Sequence, residues 1–112
     1  AAGELKHGPL ALIDNETPVI AILASDGLQD KIKSNLQEVL ARNGVVYAFV
    51  DESIDVSDVQ GEFHVIKIPS ISAELAPILY AIPLQLLSYY VAVMKGTDVD
   101  QPRNLAKSVT VE

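Results

Sequence analysis

The stretch Pro18-Val19-Ile20-Ala21-Ile22-Leu23-Ala24-Ser25, "PVIAILAS", decides the fold. Its apolar side chains fall on consecutive positions and several are β-branched, as in a strand buried on both faces. The period then changes. Leu28, Ile32, Leu36, Val39 and Leu40 recur at helical spacing, while Lys31, Lys33 and Glu38 lie off that stripe. Ser25 or Asp26 offers an N-cap, and Gln29 stands three residues after Asp26, as in a capping box. Gly44 is expected to stop the helix after Asn43. "VVYAFVD", 45–51, repeats the buried-strand pattern. "FHVIKIP", 63–69, reads as a third strand ended by Pro69, which has no N–H for a ladder. Acidic, loop-like "ESIDVSDVQGE" joins the two.

Short apolar strands separated by a helix predict an α/β protein, a parallel sheet with right-handed crossovers. Further on, Ser70 or Ser72 is expected to cap a short helical turn. Pro83 is expected in the first turn of a longer helix running to about Lys95 and closed by Gly96. A parallel sheet wants both faces covered, and one or two helices cannot do that. The missing layers are therefore expected from sequence outside this chain or from another chain. Unpaired sheet edges should make the fragment associate. No internal repeat is visible.

At 112 residues this is at most one small domain, able to bury roughly 65% of the surface its unfolded chain exposes. With 49% hydrophobic and 21% charged residues the chain is globular and not disordered. A net charge of −7 opposes a phosphate backbone and argues against nucleic acid as a partner. A small anionic substrate stays open, because backbone N–H groups and a local cation can hold a phosphate. The absence of cysteine excludes a disulfide scaffold, a thiolate nucleophile and thiolate-bound zinc within this chain, and it fits a reducing compartment. "AAGELKHGPLA" carries no basic segment followed by an apolar core, so no leader is expected. It also begins mid-phrase and without Met, as a piece of something longer would. Leu75 to Met94 is uncharged and long enough to span a bilayer. Pro77, Pro83, Gln85 and Ser88 interrupt it, so a buried helix is expected and no membrane.

Few residues can do chemistry. His7, in "GELKHGP", stands where Gly8 and Pro9 end a helix, with Glu4 and Lys6 near enough to orient or tune an imidazole. His64 alternates with Phe63 and Val65 as an ordinary strand residue. Two separated histidines and no cysteine give a metal site no support. Lys107, in "NLAKSVTVE", has apolar neighbours Leu105, Ala106, Val109 and Val111, which prefer docking to solvent. A docked tail would desolvate the amine and lower its pKa toward a neutral nucleophile able to attack a carbonyl. Arg103 could anchor the tail through a carboxylate or meet a phosphate. Asp98 and Asp100 suit turn contacts. "ASDGLQD" has one glycine and acidic character, wrong for a pyrophosphate cradle. No Ser-His-Asp arrangement can be built from histidines this isolated.

"GELKHGPLALID" and "PLQLLSYYVAVMKGTDVDQPRNLAKSVTVE", with the strand–helix rhythm between them, closely resemble the C-terminal end of the glutamine–fructose-6-phosphate aminotransferase (isomerising) family, the glucosamine-6-phosphate synthases. The resemblance runs the full length and is loosest around 51–62. It implies a parallel-sheet, three-layer sugar isomerase (SIS) domain, present in part. Residues 1–95 would be the C-terminal portion of the second such domain, and 96–112 an extended active-site tail. The family makes glucosamine 6-phosphate and glutamate from fructose 6-phosphate and glutamine, at the entry to the hexosamine pathway. It is cytoplasmic, needs no metal or other cofactor, and combines a glutaminase domain with two SIS domains in a homodimer. By position, Lys107 matches the lysine that forms a Schiff base with the open-chain sugar. His7 matches the histidine of ring opening, which reaches the neighbouring subunit's site. Ala106 matches a sugar-contacting position, and Ala106 and Val109 match positions on the ammonia path. The alternative is a non-catalytic sugar-phosphate-binding or dimerisation SIS module.

Overall fold

The computed structural model describes residues 1–101. Two short 3-10 turns, Ala2–His7 and Pro9–Leu12, lead into β1 (Pro18–Leu23), α1 (Gln29–Leu40), β2 (Val45–Asp51), β3 (Phe63–Ile68) and α2 (Ala76–Met94). The strands form one sheet in the order β1-β2-β3, both pairs parallel. This is the α/β class expected. The chain divides into two compact units, Ala1–Tyr80 and a second beginning at Ala81.

In the first unit the core lies between the sheet and α1. Ala21 and Leu23 of β1 and Val46, Ala48 and Val50 of β2 cluster with Leu36, Val39 and Leu40 of α1, and with Leu10 and Ile54. Burying each larger side chain contributes about 1.5–3 kcal/mol. The helical stripe performs as its spacing predicted from Ile32 onward. Leu28 does not, being half exposed and outside the helix. The capping box does not form either. Asp26 accepts a hydrogen bond from the Leu28 N–H at 2.9 Å, a local turn continued by Gly27 at φ 83°. That turn uses up the residues between cap and helix, so Gln29 becomes the first helical residue and Leu28 gives no side-chain cap.

At the other end Asn43, not Gly44, takes the left-handed conformation, with φ 61°. Gly44 donates its N–H to the Val39 carbonyl at 3.1 Å. Its lack of a side chain serves close packing. A Cβ there would stand 2.6 Å from Ile13 Cγ2 and 2.7 Å from Val39 Cγ1.

The strands are less enclosed than their sequences suggest. In register, Ile20, Tyr47 and His64 form one row across the sheet, and all three are exposed. β1 and β3 each keep one edge unpaired among the described residues. The 52–62 connection is pinned by lysines. Lys33 Nζ meets Asp58 at 2.8 Å and the Asp55 carbonyl at 3.0 Å, and Lys67 Nζ donates to the Ile54 carbonyl at 2.7 Å.

α2 begins earlier than expected and passes through Pro83. Pro77, in the first turn, fills the place expected of Pro83, because its missing N–H is an orphan there in any case. Pro83 sits in the interior, where a proline removes a ladder bond at a cost of ~3 kcal/mol. The first bonds of the turn go to the Ser72 backbone carbonyl, from Leu75 and Ala76 at 3.0 and 3.1 Å. Gly96, φ 67°, closes the helix as expected, with Thr97 N–H donating to the Ala92 carbonyl at 3.0 Å. Among the described residues this helix finds little cover. Tyr80 is the buried residue of α2, while Ile78, Ile82, Leu86, Tyr89, Tyr90 and Met94 are half exposed or more. By length and composition the helix could cross a membrane.

Candidate functional site

Open parallel sheets bind ligands beyond the carboxyl ends of their strands. In the first unit those ends carry a polar knot. Asp51, the last residue of β2, is 2% exposed. Its Oδ1 accepts the Ser53 N–H at 2.9 Å, the Ser53 hydroxyl at 2.6 Å and the Ser70 hydroxyl at 2.6 Å. The neighbouring Glu52 donates its N–H to the Ile68 carbonyl at 2.8 Å and accepts the Ser70 N–H at 3.2 Å. Tyr80 lies 4% exposed and donates its hydroxyl to the Leu23 carbonyl, the end of β1, at 3.1 Å.

The Ser53 and Ser70 hydroxyls hold the Asp51 carboxyl below its ordinary value. Burial opposes them, and the Lys67 charge assists. Burial, helped by the charges of Asp51 and Asp26, pushes the Tyr80 phenol up. At neutral pH the knot is therefore an ionised carboxylate among neutral donors. It can fix loops and repel anions, but it cannot cradle a phosphate.

His7 ends the Ala2–His7 turn and is exposed, with Gly8 turning the chain at φ 143°. Lys6, expected beside it as a tuning group, instead meets Glu38 of α1 at 2.8 Å and ties the turn to that helix. His64 behaves as a strand residue. It stacks on Tyr47 with ring centroids 4.7 Å apart, 3.5 Å from Glu62. Asp98 makes the expected turn, accepting the N–H groups of Asp100 and Gln101 at 2.9 and 3.0 Å. Among the described residues no three His, Cys, Asp or Glu side chains stand together as a metal site. Arg103, Ala106, Lys107 and Val109 lie outside the described residues.

Sequence reasoning missed Asp51, Ser53, Ser70 and Tyr80. A charged residue closing an apolar strand was the available signal, but its partnership with Ser70 depends on sheet register. Along the β1 edge a groove of about 620 Å³ is lined by Leu5, Ile20, Ile22, Leu28 and Ile32, with Lys31 and Asn35. It is mostly apolar, as a surface meant for further protein would be.

Residues 1–95 match the SIS domain family, and the chain belongs to it. α2 lies inside the matched stretch. The chain is 66% identical over 111 residues to glutamine--fructose-6-phosphate aminotransferase [isomerizing] of Pseudomonas putida, covering 99% of this chain and 18% of that protein. To the protein of that name from Acinetobacter baylyi it is 62% identical over 112 residues, again 18% of the relative. Its fold matches the C-terminal domain of glucosamine-fructose-6-phosphate aminotransferase from Francisella tularensis with a TM-score of 0.80 and 47% identity, over 89% of this chain and 28% of that one. The chain spans 18% of the length of the curated relatives it matches.

Proposed function

We propose that this chain is the C-terminal part of an isomerising glutamine–fructose-6-phosphate aminotransferase, with 1–95 belonging to its second SIS domain and 96–112 forming a tail that walls the sugar site. One observation carries the reading: 66% identity maintained across 99% of the chain. In this reading the Lys107 amine, made neutral by desolvation, attacks the ketone carbon of open-chain fructose 6-phosphate. Water leaves and an imine forms. Ammonia released from glutamine displaces the lysine, and a base moves a proton from C1 to C2 to give glucosamine 6-phosphate. His7, exposed on its turn, serves ring opening in the site of a second subunit, so the working form is a homodimer. Ala106 touches the sugar, and Ala106 and Val109 line the path of ammonia.

The glutaminase domain, the first SIS domain, the phosphate loop and the C1-to-C2 base belong to the rest of the cytoplasmic parent protein. The chain has no cysteine to act as a glutaminase nucleophile. The 112 residues alone should form no glucosamine 6-phosphate.

The test is to incubate the full-length parent with fructose 6-phosphate, reduce with borohydride and map the modified peptide by mass spectrometry. A sugar adduct on Lys107 is expected. An active enzyme without that adduct would overturn the Schiff-base role. Unchanged activity after Lys107→Ala would favour a non-catalytic sugar-phosphate-binding or dimerisation module.

A further inference from the structure

Two short turns meet at Gly8, and each is anchored to the core of the first unit. Leu5, in the Ala2–His7 turn, packs against the core cluster, and Lys6 meets Glu38 of α1 at 2.8 Å. Leu10, in the Pro9–Leu12 turn, is buried within that cluster. The Gly8 carbonyl accepts the Ala11 N–H at 2.9 Å and so opens the second turn. His7 stands between these anchors, exposed.

Gly8 joins the two turns at φ 143° and ψ −53°, a conformation that L side chains rarely adopt. A Cβ built on it would meet no atom within 4 Å. Space therefore does not call for glycine here; the backbone angle does. Pro9 sharpens the demand. Its ring fixes its own φ, and it drives a preceding L residue toward extended backbone, away from the angles that Gly8 holds. Gly8→Ala would have to leave those angles. Leu5 and Leu10 are held by burial and Pro9 cannot turn about φ, so the change falls on His7, the exposed residue between them.

We infer that Gly8 and Pro9 are positioning residues for His7, aiming its imidazole outward from a turn pinned on both sides. This rests on the functional reading above, in which His7 serves ring opening. In that step the C2 hydroxyl loses its proton, the C2–O5 bond breaks, and O5 takes up a proton, leaving a ketone and a free C5 hydroxyl. A reacting group displaced by ~1 Å can lose on the order of 10²-fold in rate. A swung imidazole should therefore slow ring opening and spare the imine chemistry that follows it.

The experiment uses the full-length parent and two sugars. With O6 phosphorylated, only O5 can close a furanose ring on C2, so 5-deoxyfructose 6-phosphate stays open and needs no ring opening. Glutamine-dependent amination of each sugar is followed by mass spectrometry in wild type, Gly8→Ala, Pro9→Ala, His7→Ala and Gly27→Ala, with melting temperatures alongside. Gly27, at φ 83° and with nothing within 4 Å of a Cβ, is the control for backbone strain in another turn. Wild type should aminate both sugars. Gly8→Ala is expected to slow about tenfold or more with fructose 6-phosphate and to stay near wild type with the open analogue. Pro9→Ala should shift the same way by less, and Gly27→Ala should keep the wild-type ratio of the two rates. An unchanged ratio in Gly8→Ala overturns the inference, and if that variant does not fold, an unchanged ratio in Pro9→Ala does so. Refusal of the analogue by wild type, or an equal shift of the ratio in Gly27→Ala, overturns it too. His7→Ala that slows both sugars alike defeats the functional reading, and the positioning role fails with it. A selective His7→Ala beside an unselective Gly8→Ala defeats the positioning role alone.

Discussion

α1 and α2 are both rich in apolar residues, but they meet different fates. In α1 the apolar side chains form a stripe, and Leu36, Val39 and Leu40 vanish against the sheet of the same chain. In α2 they go all the way round, and among the described residues only Tyr80 is buried. An amphipathic helix states which side wants a partner, and one sheet satisfies it. A helix apolar on every side needs cover on every side, more than the described residues supply. The difference fits a chain that is 18% of the length of its relatives.

Truncation of the satisfied helix should show the largest effect. Leu36→Ala, at 2% exposure, is expected to destabilise the chain by about 2–5 kcal/mol in denaturant titration. A cost under ~1 kcal/mol would mean that α1 is not the core helix. Gly44→Ala, next to the end of the same helix, forces a Cβ against Ile13 and Val39. About 1–3 kcal/mol should be lost, and a neutral result would show that the Ile13 contact yields freely.

A pH titration probes the knot at the strand ends. Asp51 has a folded pKa below its unfolded one. Its stabilisation is therefore present above the unfolded value, about 4, and is lost as pH falls through the folded one. Asp51→Asn should flatten the acid limb of stability below about pH 4 and leave its shape at neutral pH alone. An unchanged acid limb would assign it to other carboxylates, such as Asp14 and Asp55, which are also lowered.

The smallest stability change belongs to α2. Leu86→Ala, at 51% exposure, should cost this chain less than ~0.5 kcal/mol. The same substitution in the full-length parent should cost several times more if that residue is covered there. Association is the more telling readout. The chain should self-associate in sedimentation, and paired Ile82→Glu and Leu86→Glu changes should weaken that association. A monomeric wild-type chain would break the contrast between the two helices.

Much of the fold was legible because it is local. The apolar runs at 18–25, 45–51 and 63–69 each contain a strand, and the stripe from Ile32 to Leu40 marks the core face of α1. Pro83 misled because proline is a start signal only when no earlier start competes, and Pro77 already occupied the first turn. The N-cap failed through Gly27, whose left-handed turn inserted a residue that capping arithmetic does not count. Of the candidate site, the roles proposed for Lys107 and His7 rest on family resemblance alone, since one lysine among small residues has no chemical signature of its own.

The sequence by itself determined which segments are strands and helices and, through its apolar stripe, which face of α1 goes inward. These follow from side-chain period and backbone preference among near neighbours. Tertiary structure alone decided the polar knot. Ser70 reaches Asp51 across 19 residues, and Tyr80 reaches Leu23 across 57. Such pairs exist only after parallel register has brought the strand ends together and excluded the water that would otherwise satisfy them.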